Sequence, residues 1–318
     1  MADRLNTVFL GVPNYREVLE PGYQILTGGG FDLIENFDPL LHSVVSATDR
    51  LSEIELAVSG LEIWDAEAMD ACSNLKGIVK SGTGVDNIDL EAARSRGIVV
   101  ANTAGLNSNA VAELAVGYML AGLRALAVAR ESVTGDGPRP PLGRELSGKT
   151  IGIVGLGAIG RRVAKLLSGF EPHILGYDPV AGSEIEGVTR ASFEEVLRNA
   201  DVITLHAPAT AQTENMINAS TLATMKPGAV LVNTARGRLI DEAALIEALD
   251  SGALFGVALD VFTVEPPSPD NPLLSHPRVF CTNHIGAATA ESDHKVAIAT
   301  AEGIVAIAEG REPANRIV

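Results

Sequence analysis

The chain has 318 residues, with 24 Lys plus Arg against 40 Asp plus Glu, a formal net charge of −16. So acidic a protein repels nucleic-acid phosphates and anionic lipid surfaces, which excludes both as expected partners. Hydrophobic residues make up 46% and the cysteines are only Cys72 and Cys281, which excludes disordered, fibrous and disulfide-stapled classes and any Cys-based zinc site.

Met1–Glu20 carries Asp3, Arg4, Arg16 and Glu17 around a short apolar run, too little for a secretory leader, so a cytoplasmic protein is expected. Apolar, β-rich runs at Thr7–Val12, Tyr23–Leu26, Glu55–Val58, Gly77–Lys80 and Ile98–Ala101 read as strands. Helical patterns at Trp64–Ser73 and Leu90–Ser95 lie between them, which reads as βαβ units on a parallel sheet. Gly28-Gly29-Gly30 has no helix pattern behind it and reads as a turn. Ala110–Arg130 reads as one long helix, buried rather than membrane-spanning because Glu113 and Arg124 interrupt it. Thr134–Arg144, with Pro138, Pro140, Pro141, Gly135, Gly137 and Gly143, reads as a loop.

A second alternation follows. Strands are expected at Thr150–Val154, Ile174–Tyr177, Val202–Leu205, Ala229–Asn233, Phe255–Leu259 and Val279–Thr282. Helices are expected at Ala158–Ser168, Phe193–Arg198, Ser220–Met225 and Glu242–Asp250, the last with Asp241 as N-cap and Gly252 as stop. Six strands so spaced match a doubly wound dinucleotide-binding sheet, so the fold class is α/β. An Ala-rich helix over Ala287–Glu309 closes the pattern.

The run Gly155-Leu156-Gly157-Ala158-Ile159-Gly160 follows a strand and opens a helix, as G-x-G-x-x-G requires. Gly155 allows the turn, Gly157 lets backbone approach a pyrophosphate, and Gly160 lets helix and strand pack. Free N–H groups at the helix start hold the anion inside an acidic protein. Asp178, at the end of the next strand, suits the ribose hydroxyls and repels a 2′-phosphate, which favours NAD over NADP.

Ligands of open α/β sheets sit beyond the carboxyl ends of strands, where His206, Arg236, Asp260, Glu265 and His284 are found. Arg236 suits a carboxylate and a polarised carbonyl through its fork, and a histidine beside a carboxylate suits proton transfer. Arg236, His284 and Glu265 supply that set. His206 is the alternative proton donor. No His/Asp/Glu cluster has metal-ligand spacing, so no metal is expected.

Several spaced motifs resemble those of the D-isomer-specific 2-hydroxyacid dehydrogenases, most of all the phosphoglycerate dehydrogenase branch. They are Lys80-Ser81-Gly82-Thr83-Gly84-Val85-Asp86-Asn87, Gly97-Ile98-Val99-Val100-Ala101-Asn102-Thr103, Val111-Ala112-Glu113-Leu114, the glycine fingerprint, His206-Ala207-Pro208, Asn233-Thr234-Ala235-Arg236-Gly237, Ala258-Leu259-Asp260-Val261-Phe262, Glu265-Pro266 and His284-Ile285-Gly286. The resemblance implies two doubly wound domains. A Rossmann NAD-binding domain, residues 101–290, would be inserted in a flavodoxin-like substrate domain made of 1–100 and 291–318. It implies that Arg236 binds substrate, that His284 is the acid in reduction and base in oxidation, and that Glu265 holds His284 and raises its pKa. Backbone amides of Ser81, Gly82, Thr83 and Gly84 would bind the substrate carboxylate. Amides of Ala158 and Ile159 would meet the pyrophosphate and Asp260 the nicotinamide carboxamide, with Thr83, Ala207, Pro208 and Thr234 lining the cofactor.

The implied reaction is NAD-dependent interconversion of a D-2-hydroxy acid and its 2-keto acid, with 3-phosphoglycerate and 3-phosphohydroxypyruvate as one candidate pair. The alternatives are a glyoxylate or hydroxypyruvate reductase and a non-catalytic NAD-sensing protein. A homodimer through Ala110–Arg130 is implied as well. Asn283 and Ala104 stand where the family has proline. Lys80 reads either as a substrate-phosphate ligand or as a solvated lysine at a strand end.

Overall fold

The computed structural model describes residues 6–135, 139–180, 182 and 184–318. Met1–Leu5, with Asp3 and Arg4, lies outside the described residues, as do Asp136, Gly137 and Pro138 of the expected loop. The chain divides into two compact units, one of Met1–Asn107 with Ala288–Val318, the other of Ser108–Ala287.

In the first unit the elements are β1 (Thr7–Leu10), α1 (Tyr15–Val18), α2 (Glu20–Gly28), β2 (Asp32–Glu35), β3 (Leu56–Ser59), α3 (Ala66–Ala71), β4 (Gly77–Lys80), α4 (Leu90–Arg96) and β5 (Val99–Asn102). The strands pair in parallel in the order β2-β1-β3-β4-β5, the flavodoxin-like arrangement. β1, β3 and β4 are buried along their whole length, as expected for a sheet covered on both faces.

The second unit contains α5 (Ser108–Leu123), α6 (Leu126–Glu131), β6 (Thr150–Val154), α7 (Ala158–Leu167), β7 (His173–Tyr177), β8 (Val188–Arg190), α8 (Phe193–Asn199), β9 (Val202–Leu205), α9 (Ala219–Thr224), β10 (Ala229–Asn233), α10 (Glu242–Asp250), β11 (Leu254–Leu259), α11 (Pro272–Ser275) and β12 (Val279–Cys281). Its seven strands are parallel in the order β12-β11-β10-β9-β6-β7-β8, a doubly wound sheet whose order reverses beside β6. Apolar clusters cover it, one including Val196, Leu222 and Leu245, another including Met119, Leu123, Val163 and Leu167. The last helix, α12 (Ala290–Ala308), belongs to the first unit and packs on α2, β3 and β4. Beyond it Arg316 pairs with Ala101, and the Ile317 N–H donates to the Val100 carbonyl at 2.7 Å, so the chain end edges β5.

Four expectations need correction. Tyr23–Leu26 is helical, within α2, because Pro21 starts a helix and Gly22 and Leu26 share its buried face; so short an apolar run does not separate the two periodicities. β2 was not expected, since its one buried residue, Ile34, lies between Asp32 and Glu35. β8 makes a seventh strand where six were expected; it is a three-residue edge strand with little apolar signal. The long helix breaks between α5 and α6, where Ala125 takes φ 48° with no glycine or proline to announce it. The Asp241 cap is as expected, its carboxylate accepting the Ala243 and Ala244 amides. Among the described residues no helix is long and apolar enough to cross a membrane, and no group of three or more His, Cys, Asp and Glu is placed to hold a metal.

Candidate active site

The glycine fingerprint joins β6 to α7. Gly155 has φ 95°, and a Cβ there would lie 2.7 Å from the His206 carbonyl group. A Cβ on Gly160 would lie 2.0 Å from the Gly155 oxygen, so only glycine lets the helix sit this close to the loop. A Cβ on Gly157 would meet nothing, and Gly157 and Ala158 are exposed. The start of α7 has no side-chain cap. Its first amides therefore face open space, which fits a pyrophosphate bound on backbone N–H groups. Asp178 stands beside this loop and accepts the Leu156 amide at 2.8 Å and the Val180 amide at 2.9 Å. The carboxylate is thereby oriented by the loop that would cradle the phosphates. The Thr234 hydroxyl is buried without a partner among the described residues, as suits a group awaiting a ligand.

His206 follows β9. Its Nε2 lies 2.9 Å from the Thr204 hydroxyl, and its Nδ1 is buried with no partner among the described residues. Burial pushes its pKa down to about 3, so the ring is neutral at working pH and unsuited to proton donation. Unfolding lets it take a proton. The stability conferred by its neutrality is therefore complete above about pH 6.5 and is lost as pH falls toward 3. Between about pH 6.5 and 5 the loss is about 2 kcal/mol. Denaturant midpoints of His206→Asn should fall less steeply over that interval than those of the parent; equal slopes would disprove the buried neutral ring.

β10 ends in a turn built by Asn233, whose side chain accepts the Ala235 amide at 3.0 Å and donates to the Arg236 carbonyl at 2.8 Å. The turn presents Arg236, whose Nη1 donates to the Ala235 carbonyl at 2.7 Å. Gly237 abuts the segment after β11 so closely that a Cβ would lie 1.9 Å from the Phe262 carbonyl carbon. That segment carries Glu265. Its Oε1 accepts the Phe262 amide at 3.0 Å, and its Oε2 lies 2.6 Å from His284 Nδ1. Burial alone would raise the Glu265 carboxyl. The His284 hydrogen bond and charge, the Phe262 amide and the Arg236 charge outweigh it and hold the group below its ordinary value. Arg236, Glu265 and His284 thus converge in one unit. With Nδ1 engaged, the His284 Nε2 is left for a substrate atom.

One device was invisible in the sequence. The Asp260 carboxylate, 1% exposed, accepts the Ile285 amide at 2.8 Å, the Gly286 amide at 2.7 Å and the Thr282 hydroxyl. The His284 amide donates to the Asp260 carbonyl at 2.7 Å, and the Tyr118 hydroxyl bonds Thr282 from α5. His284 itself sits at φ 50°, a conformation that a non-glycine residue holds only when its surroundings over-determine it. Asp260 and its partners supply that constraint. Asn283, where the family has proline, is exposed inside this clamped turn.

In the first unit, Ser81–Gly84 follows β4. The Ser81 amide donates to the Ser59 carbonyl at 2.9 Å, and the Gly82 amide to the Thr103 hydroxyl at 2.9 Å. Thr83 bonds Asn107 through its hydroxyl at 3.1 Å, and its carbonyl accepts the Asn102 side chain at 2.7 Å. Asn102 also accepts the Ala104 amide at 3.2 Å, which holds the turn where the family has proline. Ala207 is half-buried and Pro208 exposed after β9.

Residues 116–286 match the family model described as D-isomer specific 2-hydroxyacid dehydrogenase, NAD binding domain. The chain is 45% identical over 258 residues to a D-3-phosphoglycerate dehydrogenase of Archaeoglobus fulgidus, covering 80% of this chain and 49% of that one. It is 43% identical over 243 residues to a hydroxypyruvate reductase of Thermotoga maritima, covering 75% and 79%. Among solved structures it resembles an NAD-dependent formate dehydrogenase of Staphylococcus aureus in complex with NAD, with TM-score 0.88, 28% identity and 98% of each chain covered. The chain therefore spans about half the length of the phosphoglycerate dehydrogenase relative and most of the hydroxypyruvate reductase. On the matched model and these identities, the chain belongs to the D-isomer specific 2-hydroxyacid dehydrogenase family.

Proposed function

We infer that the protein interconverts a D-2-hydroxy acid and its 2-keto acid with NAD as the hydride carrier. The observation that carries this reading is the His284–Glu265 pair at 2.6 Å, an oriented acid–base group at the carboxyl end of the sheet. The nicotinamide, when bound, supplies the hydride to C2 in reduction and accepts it in oxidation. His284 Nε2 gives its proton to the carbonyl oxygen in reduction and takes it back in oxidation. Glu265 fixes the ring through Nδ1 and balances the imidazolium charge. Arg236 holds the substrate carboxylate and polarises the carbonyl. The Thr83 and Gly84 amides are assigned to the carboxylate as well. The first amides of α7, with Ala207, Pro208 and Thr234, hold the cofactor, and Asp178 selects NAD. Asp260 keeps the His284 turn in place from behind.

A cytoplasmic homodimer is part of the reading. Leu126, Val133 and Leu142, on and after α6, are exposed apolar side chains that a second copy could cover. The test is NADH oxidation with hydroxypyruvate, glyoxylate, pyruvate and phosphohydroxypyruvate, repeated with NADPH. Turnover with at least one acid, and preference for NADH, are expected. NADH binding without turnover of any acid would favour a cofactor-sensing protein instead.

A further inference from the structure

The carboxyl edge of the first unit's sheet is short of cations. The connections that leave its five strands there, residues 11–14, 36–43, 60–65, 81–89 and 103–107, contain no Lys or Arg. They carry Asp38, Glu62, Asp65, Asp86 and Asp89, and one histidine, His42. Two of these acids close the nearby helix starts. Asp65 accepts the Ala68 amide at the head of α3, and Asp89 the Ala92 amide at the head of α4, both at 2.9 Å. Neither helix end is left open to an anion.

Arg16, in α1 just beyond the first of these connections, lies over the Tyr23 ring at 5.5 Å, and Lys80, the last residue of β4, faces inward. It is 6% exposed, and its ammonium donates to the Gly60 carbonyl. Burial pushes the carboxyl of Glu62, itself 1% exposed, up; the Trp64 hydrogen bond and the Lys80 charge oppose that rise. Glu62 accepts the Trp64 indole N–H at 2.8 Å and the Gly60 amide at 3.0 Å. Gly11 makes room for it, since a Cβ there would lie 2.2 Å from Glu62 Oε1. Asn87 joins the same knot, donating to the Glu62 carbonyl at 2.6 Å and the Ser59 hydroxyl at 3.1 Å. Turning Lys80 outward would take its donor from the buried Gly60 carbonyl and remove a charge that favours the ionised Glu62. Leu61 and Ile63, on either side of Glu62, are 72% and 45% exposed, so this connection shows two apolar side chains to solvent beside Asp65.

Resting on the oxidoreductase reading, we propose that the substrate is a 2-keto acid without a phosphate, and that Lys80, tied to Gly60 and Glu62, is a positioning residue that pins the Ser81–Gly84 loop from beneath. A phosphate dianion calls for Arg, Lys or open helix amides; the five connections hold no Lys or Arg, and the starts of α3 and α4 are capped.

The test compares kcat/KM for hydroxypyruvate and phosphohydroxypyruvate in the parent, in Lys80→Met, and in the charge-neutral double variant Lys80→Met/Glu62→Gln. The unphosphorylated acid is expected to be favoured by about tenfold or more, the worth of a missing charge-assisted contact. Both variants should lose efficiency with the two acids alike, leaving their ratio unchanged; the double variant guards against misfolding of the single one. Preference for the phosphorylated acid, or its selective loss in Lys80→Met, overturns the proposal. Calorimetric titration of the NADH-loaded protein with D-glycerate and 3-phosphoglycerate, a dead-end pairing of reduced cofactor with hydroxy acid, reads the same preference without turnover. If neither acid is reduced but glycerate binds at least as tightly, the oxidoreductase reading fails and the binding preference stands. Tighter 3-phosphoglycerate binding, or binding of neither, overturns it.

Discussion

Alanine in place of His284 is expected to lower kcat for 2-keto acid reduction by roughly 10²–10⁴-fold, the usual worth of a positioned general acid. NADH affinity should stay as in the parent, because the cofactor contacts assigned above come from other residues. The effect is this large because nothing nearby can replace the lost group. His206 is held neutral by burial, and its Nε2 is engaged with Thr204. Glu265 is held ionised by its neighbours and has no proton to give. Reduction needs the protonated imidazole at the carbonyl oxygen and oxidation the neutral one, so the loss should appear in both directions. Steady-state kinetics in the two directions decides the matter; parental turnover in the variant would remove His284 from the mechanism.

Arg236→Ala is expected to cost about 10²–10³ in kcat/KM, comparable to deleting a preorganised donor at a developing oxyanion. Both KM and kcat should worsen, since the guanidinium is asked to hold the carboxylate and to stabilise charge on the carbonyl. The Asn233 turn fixes the backbone, and the contact of Gly237 with the Phe262 carbonyl leaves that turn little room to shift. Arg236→Lys should recover only part of the loss, because an ammonium cannot present two parallel donors to a carboxylate. A second consequence falls on Glu265, which loses one of the charges that keep it ionised. The rate of Arg236→Ala should for that reason become more sensitive to acid than that of the parent. An unchanged kcat/KM in Arg236→Ala would rule out the assigned role.

Much of the sheet that carries these residues was legible because its strands are continuous apolar runs between turn residues. Thr150–Val154, Val202–Leu205 and Ala229–Asn233 coincide with β6, β9 and β10 to the residue. The polar residues just beyond such runs are the ones displayed at the carboxyl edge, so Arg236 and His284 stand out as candidates from position and residue type together. What escaped notice depends on partners distant in sequence. Asp260 reads as a strand-end acid, yet its carboxylate serves amides 25 and 26 residues further on. Tyr118 lies in an Ala-rich helix and meets Thr282 across 164 residues; the only clue was a buried phenol that must bond something. Glu62 looks like an ordinary surface charge, and Lys80 like a substrate-phosphate ligand or a solvated lysine. Their burial follows from β3 and β4 being neighbours, which no local pattern reveals. The break at Ala125 and the edge strands β2 and β8 went unread for the opposite reason: their local composition carries too little signal.

The interrupted make-up of the first unit has a consequence for biosynthesis. Its sheet is encoded early, but the helix covering β3 and β4 and the segment edging β5 are the last of its parts to be made. The second unit is encoded without interruption and possesses its whole core once Ala287 has been added. Translation, at about 5–20 residues per second, therefore completes the cofactor-type domain first, although its codons come second. Until α12 emerges, the apolar side of β3 and β4, including Val58 and Val79, has no cover of its own. Chaperone capture of newly made chains should accordingly persist until residues 290–308 have left the exit tunnel and fall away once they have.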